Sequence, residues 1–105
     1  MKHLTLELTE PRYILGEDRI VCEAVSDAGT FSCRIHRDTL RDSFNIELKH
    51  TDVKGSAIDG VRANRERIKN LVEKKIVSGG FESDRSILIK PSDVPNPERI
   101  RYRFG

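Results

Sequence analysis

The stretch from Ser56 to Gly80 constrains the fold more than any other part of the chain, because its apolar residues recur with helical spacing. They occupy one arc of about 100° on a helical projection. We predict one amphipathic helix of about 21 residues, which would be roughly 31 Å long. A rod of that length spans a small domain, so the other elements must pack against it. The residues that form this apolar stripe are Ile58, Val61, Ile68, Val72 and Ile76.

Both ends of this helix carry recognisable signals. Ser56 is a suitable N-cap, and Asp59 three residues later completes a carboxylate form of the capping box. Gly79 can adopt the left-handed conformation that ends many helices. The helix is therefore predicted to begin after Ser56 and to stop before Gly79.

Arg65 interrupts the apolar stripe, and Asn64 borders it. The methylenes of Arg65 can lie on the core while the guanidinium reaches water. The guanidinium can instead pair with a carboxylate of a neighbouring element, for which Asp38 and Asp42 are the first candidates. A third interpretation places it in a binding site for an anion. We therefore treat Asn64 and Arg65 as candidate binding residues, and we expect the guanidinium to be paired rather than to lie in a cleft.

Residues 19–25 and 30–36 have the pattern of a β-hairpin around a short turn. A register in which opposed residue numbers sum to 55 places six apolar residues on one face, and a shift of one residue breaks this match. That register makes Cys22 and Cys33 neighbours, which we expect to be reduced and buried. A disulfide between them is geometrically possible but is not expected in a reducing compartment. The opposite face of the hairpin carries Val21, Glu23, Val25, Thr30, Ser32 and Arg34.

Shorter elements are predicted from local signals. Residues 2–8 alternate apolar and polar side chains, which is typical of a half-buried strand. Residues 86–90 form a short buried strand, and a short helix with His36 as its N-cap follows the hairpin. The segment 45–55 fits either a short strand or a loop, and residues 9–18 are predicted as a turn region.

Together these elements predict an α+β fold. Residues 1–94 form a single domain, and residues 95–105 form an extended C-terminal tail. The long helix packs across one face of a small antiparallel sheet, and the short helix lies at the end of that sheet. The predicted strands are residues 2–8, 19–25, 30–36 and 86–90.

Length and charge restrict the class of protein. The chain has 105 residues, which is enough for one domain with one core. Its 19 basic and 17 acidic residues give a net charge of +2, which is too balanced to indicate nucleic-acid binding on its own. The first residues lack the apolar region of a signal peptide, and no run of about 18 apolar residues exists to span a membrane. We expect a cytoplasmic protein.

Motifs for catalysis, cofactors or metals are weak. Cys33 and His36 have the spacing of half a zinc site, but residues three apart on a strand point to opposite faces. The sequence contains no CxxC, no HExxH and no glycine-rich phosphate loop. We therefore do not expect an enzyme, a metal site or a cofactor.

The C-terminal tail carries the strongest sign of a nucleic-acid partner. Its alternating cations and aromatic rings suit single-stranded nucleic acid. The same alternation fits an amphipathic strand that docks on the chain's own sheet edge, or on that of a second copy in a symmetric dimer. Both interpretations remain open for the candidate binding residues of the tail, which are Arg99, Arg101, Tyr102 and Arg103.

Four local features occur in the same order as in a known protein family. They are Cys22-Glu23-Ala24 in a strand, Gly29 in the turn with Cys33-Arg34-Ile35 leading to Leu40, the Arg65-x-x-Ile68 spacing, and Ile87 to Ile89 before Ser92-Asp93-Val94. From about Leu4 to Val94 the chain resembles the bacterial family called domain of unknown function 1488. Val61 stands where that family tends to have phenylalanine, and the tail beyond Pro95 looks additional. The resemblance implies a small α+β fold and implies no activity.

We interpret the chain as a non-enzymatic accessory or regulatory domain that acts through an unknown protein partner or through self-association. The alternative is a weak nucleic-acid-binding protein that uses the arginine-rich tail. A binding module predicts no dominant pocket with converging titratable groups, whereas an enzyme predicts one.

Overall fold

A computed structural model describes residues 5–94 of the chain. It has the α+β fold expected from the sequence, with five strands and three helices in this part of the chain. Short 3₁₀ turns at Leu15–Glu17 and Pro91–Asp93 complete it. In chain order the elements are β1 (Leu6–Leu8), β2 (Arg12–Ile14), β3 (Arg19–Ser26), β4 (Gly29–His36), α1 (Arg37–Ser43), α2 (Val53–Ala63), α3 (Arg65–Ser78) and β5 (Ser86–Ile89).

The central hairpin has the predicted register. Cys22 lies opposite Cys33, and Ala24 lies opposite Phe31. Residues two apart on a strand share a face, so the apolar residues of the hairpin lie on one side. The helices bury that side. Its side chains are at most 2 % exposed. The match between the apolar pattern and a single register explains why this element is predictable from sequence.

The sheet is mixed, so the prediction of a wholly antiparallel sheet was wrong at one strand. The strand order is β1-β3-β4-β5, with β2 beside β1 on the same edge of β3. β1, β2 and β4 pair antiparallel with β3, whereas β5 pairs parallel with β4. The three helices lie between β4 and β5 in the chain, and a helical crossover of this kind returns the chain in the same direction.

The segment predicted as a turn region contains the strand β2. Tyr13 at its centre is buried, and Arg12 lies opposite Val21 on β3. Three residues are too few to show a period of two, and Pro11 before them is a turn signal. β1 occupies Leu6–Leu8 of the strand predicted over 2–8.

The predicted long helix is present as two helices that meet at Asn64. The backbone there departs from helical geometry, with φ −106° and ψ 20°. The Asn64 side chain donates a hydrogen bond from Nδ2 to the carbonyl oxygen of Gly60 at 2.8 Å. Asparagine side chains compete in this way for the carbonyls of a helix. Gly79 ends α3 in the left-handed conformation, as predicted.

The N-terminus of the helical region lies earlier than predicted. Asp52 is the N-cap of α2 and accepts a hydrogen bond from the Gly55 N–H at 3.0 Å. Ser56, the predicted cap, instead donates its hydroxyl to the carbonyl oxygen of Asp52 at 2.7 Å. Aspartate is as good a cap as serine. The segment 45–55, for which a strand and a loop were both considered, therefore contains the cap and the first residues of α2.

Residues 45–52 form a loop that packs closely on α2. A Cβ placed at Gly60 would lie 2.4 Å from Cγ2 of Ile46. The side chain of Ile46 therefore packs where only a glycine leaves room for it. The core lies between the helices and the inner face of the sheet. His36 caps α1 as predicted, accepting from the Asp38 N–H at 3.1 Å, and Leu40 behind it is fully buried.

Candidate binding surface

Arg65 reaches from the start of α3 to the edge strand β1. Its Nη2 donates to the carbonyl oxygen of Leu8 at 2.8 Å and to Oε1 of Glu7 at 3.3 Å. The expectation that the guanidinium is paired is confirmed, but the favoured partners were wrong. Asp38 and Asp42 pair with a residue of their own helix, Arg41. Which carboxylate faces Arg65 depends on how α3 crosses the sheet, and sequence spacing does not encode that.

Two further cations join Arg65 along the same edge. Arg62 pairs with Glu10 at 2.7 Å, and Lys69 lies 3.8 Å from Glu7. The hydrogen bond with Glu10 raises the pKa of Arg62 above its usual value. These contacts tie both helices to the segment that contains β1. They give Arg65 a structural role, and its role in binding stays a prediction.

Asn64 lines an open groove of about 400 Å³ between the 45–49 loop and α2. The groove also carries carboxylates and an amine, but the fold already uses several of its polar groups. Asp52 caps α2, and the Ser56 hydroxyl accepts from the Lys49 N–H at 3.1 Å. Asn64 and Arg65 are adjacent in sequence and serve different contacts, since Asn64 bonds within its helix and Arg65 bonds to the sheet. The polar residues that line the groove include Asn45, Glu47, Lys49, Asp52, Ser56, Asp59 and Asn64.

The four candidate residues of the tail, Arg99, Arg101, Tyr102 and Arg103, lie outside the described residues 5–94. The docked-strand and nucleic-acid interpretations of the tail therefore both stay predictions.

The two cysteines are free, buried neighbours in the centre of the sheet, as predicted. The hydrogen bond with Cys22, together with burial, raises the pKa of the Cys33 thiol well above its usual value. A thiol in that state is a poor nucleophile. His36 does not join Cys33, because its Nδ1 is occupied as the cap of α1.

Two other kinds of feature are absent from residues 5–94. No group of three or more histidine, cysteine, aspartate or glutamate side chains is placed to hold a metal ion. No helix in this part of the chain is long and apolar enough to cross a bilayer.

One face of the sheet is not packed against the helices, and we call it the outer face. Val25 and Leu88 on this face are 47 % and 45 % exposed, whereas the inward residues beside them are buried. Strand pairing brings Arg12, Val21, Arg34 and Leu88 into one row across four strands, since opposed residues share a face. The outer face includes Arg12, Val21, Glu23, Val25, Thr30, Ser32, Arg34 and Leu88.

The sequence placed six of these residues on the outward side of the hairpin, but it did not identify the surface. Valines at outward positions, Val21 and Val25, are the signal that was present. A single hairpin does not show whether a helix covers its second face. The arrangement can bind another surface through its aliphatic side chains, with Arg12, Glu23 and Arg34 among them available for charged contacts.

Comparison with known proteins bears on the fold. No family model and no curated protein matches the sequence. A crystal structure of a protein of unknown function from the DUF1488 family of Shewanella loihica is similar, with a TM-score of 0.68 and 18 % identity. The match covers 85 % of this chain and 94 % of that chain. This chain has the same fold. The resemblance to domain of unknown function 1488 found in the sequence is thereby supported, and it carries no activity with it.

Proposed function

We propose that this domain is a non-enzymatic accessory or regulatory module, and that a protein partner binds its outer face. The observation that carries the proposal is the exposure of Val25 and Leu88 on the outer face of the sheet in residues 5–94. Exposed aliphatic side chains grouped on one surface are typical of interaction sites.

The size of the outer face fits a transient contact. β3 and β4 have eight residues each and are about 26 Å long, and four strands about 4.8 Å apart span roughly 15–19 Å. Because β1, β2 and β5 have only three or four residues, the face offers at most about 400–500 Å², and a complex would bury at most about 1,000 Å² in total. Interfaces of that size belong to weak and signalling encounters rather than to obligate assemblies.

The charges on the face indicate the chemistry of the partner. Arg12 and Arg34 lie in the same row as Val21 and Leu88, and Glu23 lies 3.9 Å from Arg12. Arg34 lies between Val21 and Leu88 in that row. Arginine beside exposed aliphatic side chains favours a partner that presents carboxylates next to apolar groups, and this is the partner surface that we infer.

The alternative is nucleic-acid binding through the tail. Bases bind proteins by stacking on aromatic rings. The apolar residues of the outer face are the aliphatic Val21, Val25 and Leu88, so this surface favours a protein partner.

The test compares capture by four forms of the tagged protein, the wild type and three variants, in a lysate of the native host, with and without nuclease. Val25→Glu and Leu88→Glu place a charge on the outer face, and Val77→Glu is the matched control at a position on α3 that is 67 % exposed. We expect a protein that binds the wild type and Val77→Glu, is lost from both face variants, and is insensitive to nuclease. Direct titration with the purified partner should show at least a tenfold loss of affinity for Val25→Glu.

Three results contradict the proposal. In the first, no protein is captured, and in the second, both face variants still capture the protein that the wild type captures. In the third, nuclease abolishes capture, which would support the nucleic-acid alternative instead. Circular dichroism of each variant confirms that the fold is intact.

A further inference from the structure

Among the strands of residues 5–94, β5 is the last one of the sheet, so one of its edges faces away from β4. The Ser32 N–H donates to the carbonyl oxygen of Arg85 at 2.9 Å, and Ser32 is in register with Ser86. In a parallel pair this arrangement turns the backbone groups of alternate residues toward the neighbouring strand. The backbone groups that face β4 are those of Arg85, Ile87 and Ile89, and the ones that point outward are those of Ser86, Leu88 and Lys90.

A carboxylate occupies the outward edge at the start of β5. Oδ1 of Asp84 accepts hydrogen bonds from the Ser86 N–H at 3.0 Å and from the Ser86 hydroxyl at 2.7 Å. The Ser86 carbonyl oxygen accepts from the Glu82 N–H at 2.9 Å. Both outward backbone groups of Ser86 are therefore used within the chain.

A second carboxylate occupies the edge just past the other end of β5. Oδ2 of Asp93 accepts from the Lys90 N–H at 2.8 Å, and the Lys90 carbonyl oxygen accepts from the Asp93 N–H at 2.9 Å. Nζ of Lys75 on α3 holds the same Asp93 oxygen at 3.0 Å. The outward groups of Lys90 are therefore also used, and this cap is anchored to a helix.

Unpaired strand edges bind other strands, and proteins protect them for that reason. Only Leu88 lies between the two caps. We propose that Asp84 and Asp93 close the edge of β5 to strand addition, and that β5 pairs with β5 of a second copy of this chain when the caps are removed. The inference is independent of the proposed partner on the outer face.

A second copy fits this edge because β5 is self-complementary about Leu88. A two-fold axis there places each Leu88 beside the other on the outer face, with Ser86 opposite Lys90 and Ile87 opposite Ile89. Every opposed pair then shares a face, as strand pairing requires.

The test measures self-association of purified full-length variants by sedimentation velocity across a concentration series. Asp84→Ala/Asp93→Ala removes both caps, and we expect its dimer dissociation constant to fall at least tenfold relative to the wild type. Asp84→Asn is the matched control, because its amide oxygen still accepts from Ser86, and it should behave as the wild type. Asp84→Ala alone leaves the Asp93 contact with Lys75 intact and should give a smaller shift of the same sign.

Leu88→Pro in the uncapped background identifies the surface. The Leu88 N–H points outward, so proline removes a bond to an added strand and none to β4. We expect it to restore the dissociation constant of the wild type. A folded Asp84→Ala variant, with or without Asp93→Ala, that associates no more than the wild type would overturn the proposal. Association that persists with Leu88→Pro would also overturn it.

Discussion

The two edges of the sheet are protected in different ways. At β1, the guanidinium of Arg65 caps the outward carbonyl of Leu8 across 57 positions of sequence. At β5, Asp84 caps Ser86 from two positions away, and Asp93 caps Lys90 from three. The β1 edge therefore depends on the docking of α3, whereas the β5 edge depends mainly on its own turns. A sheet edge can thus be closed by tertiary packing or by local carboxylates, and the two kinds of closure differ in their sensitivity to mutation and pH.

The cysteine pair, midway between the edges, gives the largest expected signal. Cys22 and Cys33 are at most 2 % exposed, so a thiol reagent reaches them only when the sheet opens. We expect labelling of the native protein to be on the order of a hundredfold slower, or more, than labelling in denaturant. A colorimetric thiol assay measures both rates. Rapid native labelling would show that at least one edge opens readily and would remove the basis of the comparison.

Asp93→Ala should be the most destabilising change at either edge. Its ion pair with Lys75 is partly shielded, with side chains only 22 % and 19 % exposed, and it also caps Lys90. Removing it leaves a partly buried ammonium and an uncapped N–H, at a cost of about 2 kcal/mol of unfolding free energy. Urea denaturation measures this change. Glu82→Ala is the control, since Glu82 contributes its backbone to the turn at the other end of β5, and equal losses for both variants would refute a specific role of the Asp93 carboxylate.

Arg65→Met should have a smaller effect at the opposite edge. The Arg65 side chain is 40 % exposed, so solvent screens its ion pair with Glu7, and the main loss is the bond to the Leu8 carbonyl. We expect a decrease of about 1 kcal/mol in unfolding free energy. A loss well above 2 kcal/mol, or no loss at all in urea denaturation, would show that Arg65 does not act as an edge cap. A folded variant that loses partner binding would instead support the predicted binding role.

The two edges also differ in how much of their structure can be predicted from the sequence. The hairpin register, the His36 cap and the Gly79 stop are local patterns, and all three were predicted. The partners of Arg65 and the parallel pairing of β5 are set by the path of the helices over the sheet. That path brings Arg65 to Leu8 and Glu7, and these contacts leave no periodic trace in the sequence.

The caps of β5 are an intermediate case. Asp84 and Asp93 lie two and three positions from the residues that they cap, so these turns are local patterns. Neither cap was identified from the sequence, however. Their importance depends on β5 being an edge strand, which only the sheet order shows. The outer face was missed for the same reason, because exposure of a sheet face is a property of the assembled layers.

Protonation of Asp84 at acid pH should weaken the cap at the start of β5. We expect the resulting change in unfolding free energy to be the smallest of the predicted changes. Hydrogen bonds from the Ser86 hydroxyl and then from the Ser86 N–H lower the pKa of the Asp84 carboxyl below its usual value. The pKa of Asp84 is therefore lower in the folded protein than in the unfolded chain, where it is about 4. The ionised Asp84 stabilises the folded protein fully above the unfolded pKa, and this stabilisation is lost as pH falls through the folded pKa. Urea denaturation of the wild type and of Asp84→Asn at pH 6 and pH 3 isolates this contribution, since asparagine keeps the acceptor and does not titrate. We expect the unfolding free energy of the wild type, relative to that of Asp84→Asn, to be higher at pH 6 than at pH 3. A difference between the two proteins that is constant with pH would mean that Asp84 contributes no more as a carboxylate than as an amide, so the charge on the cap would be irrelevant to the edge.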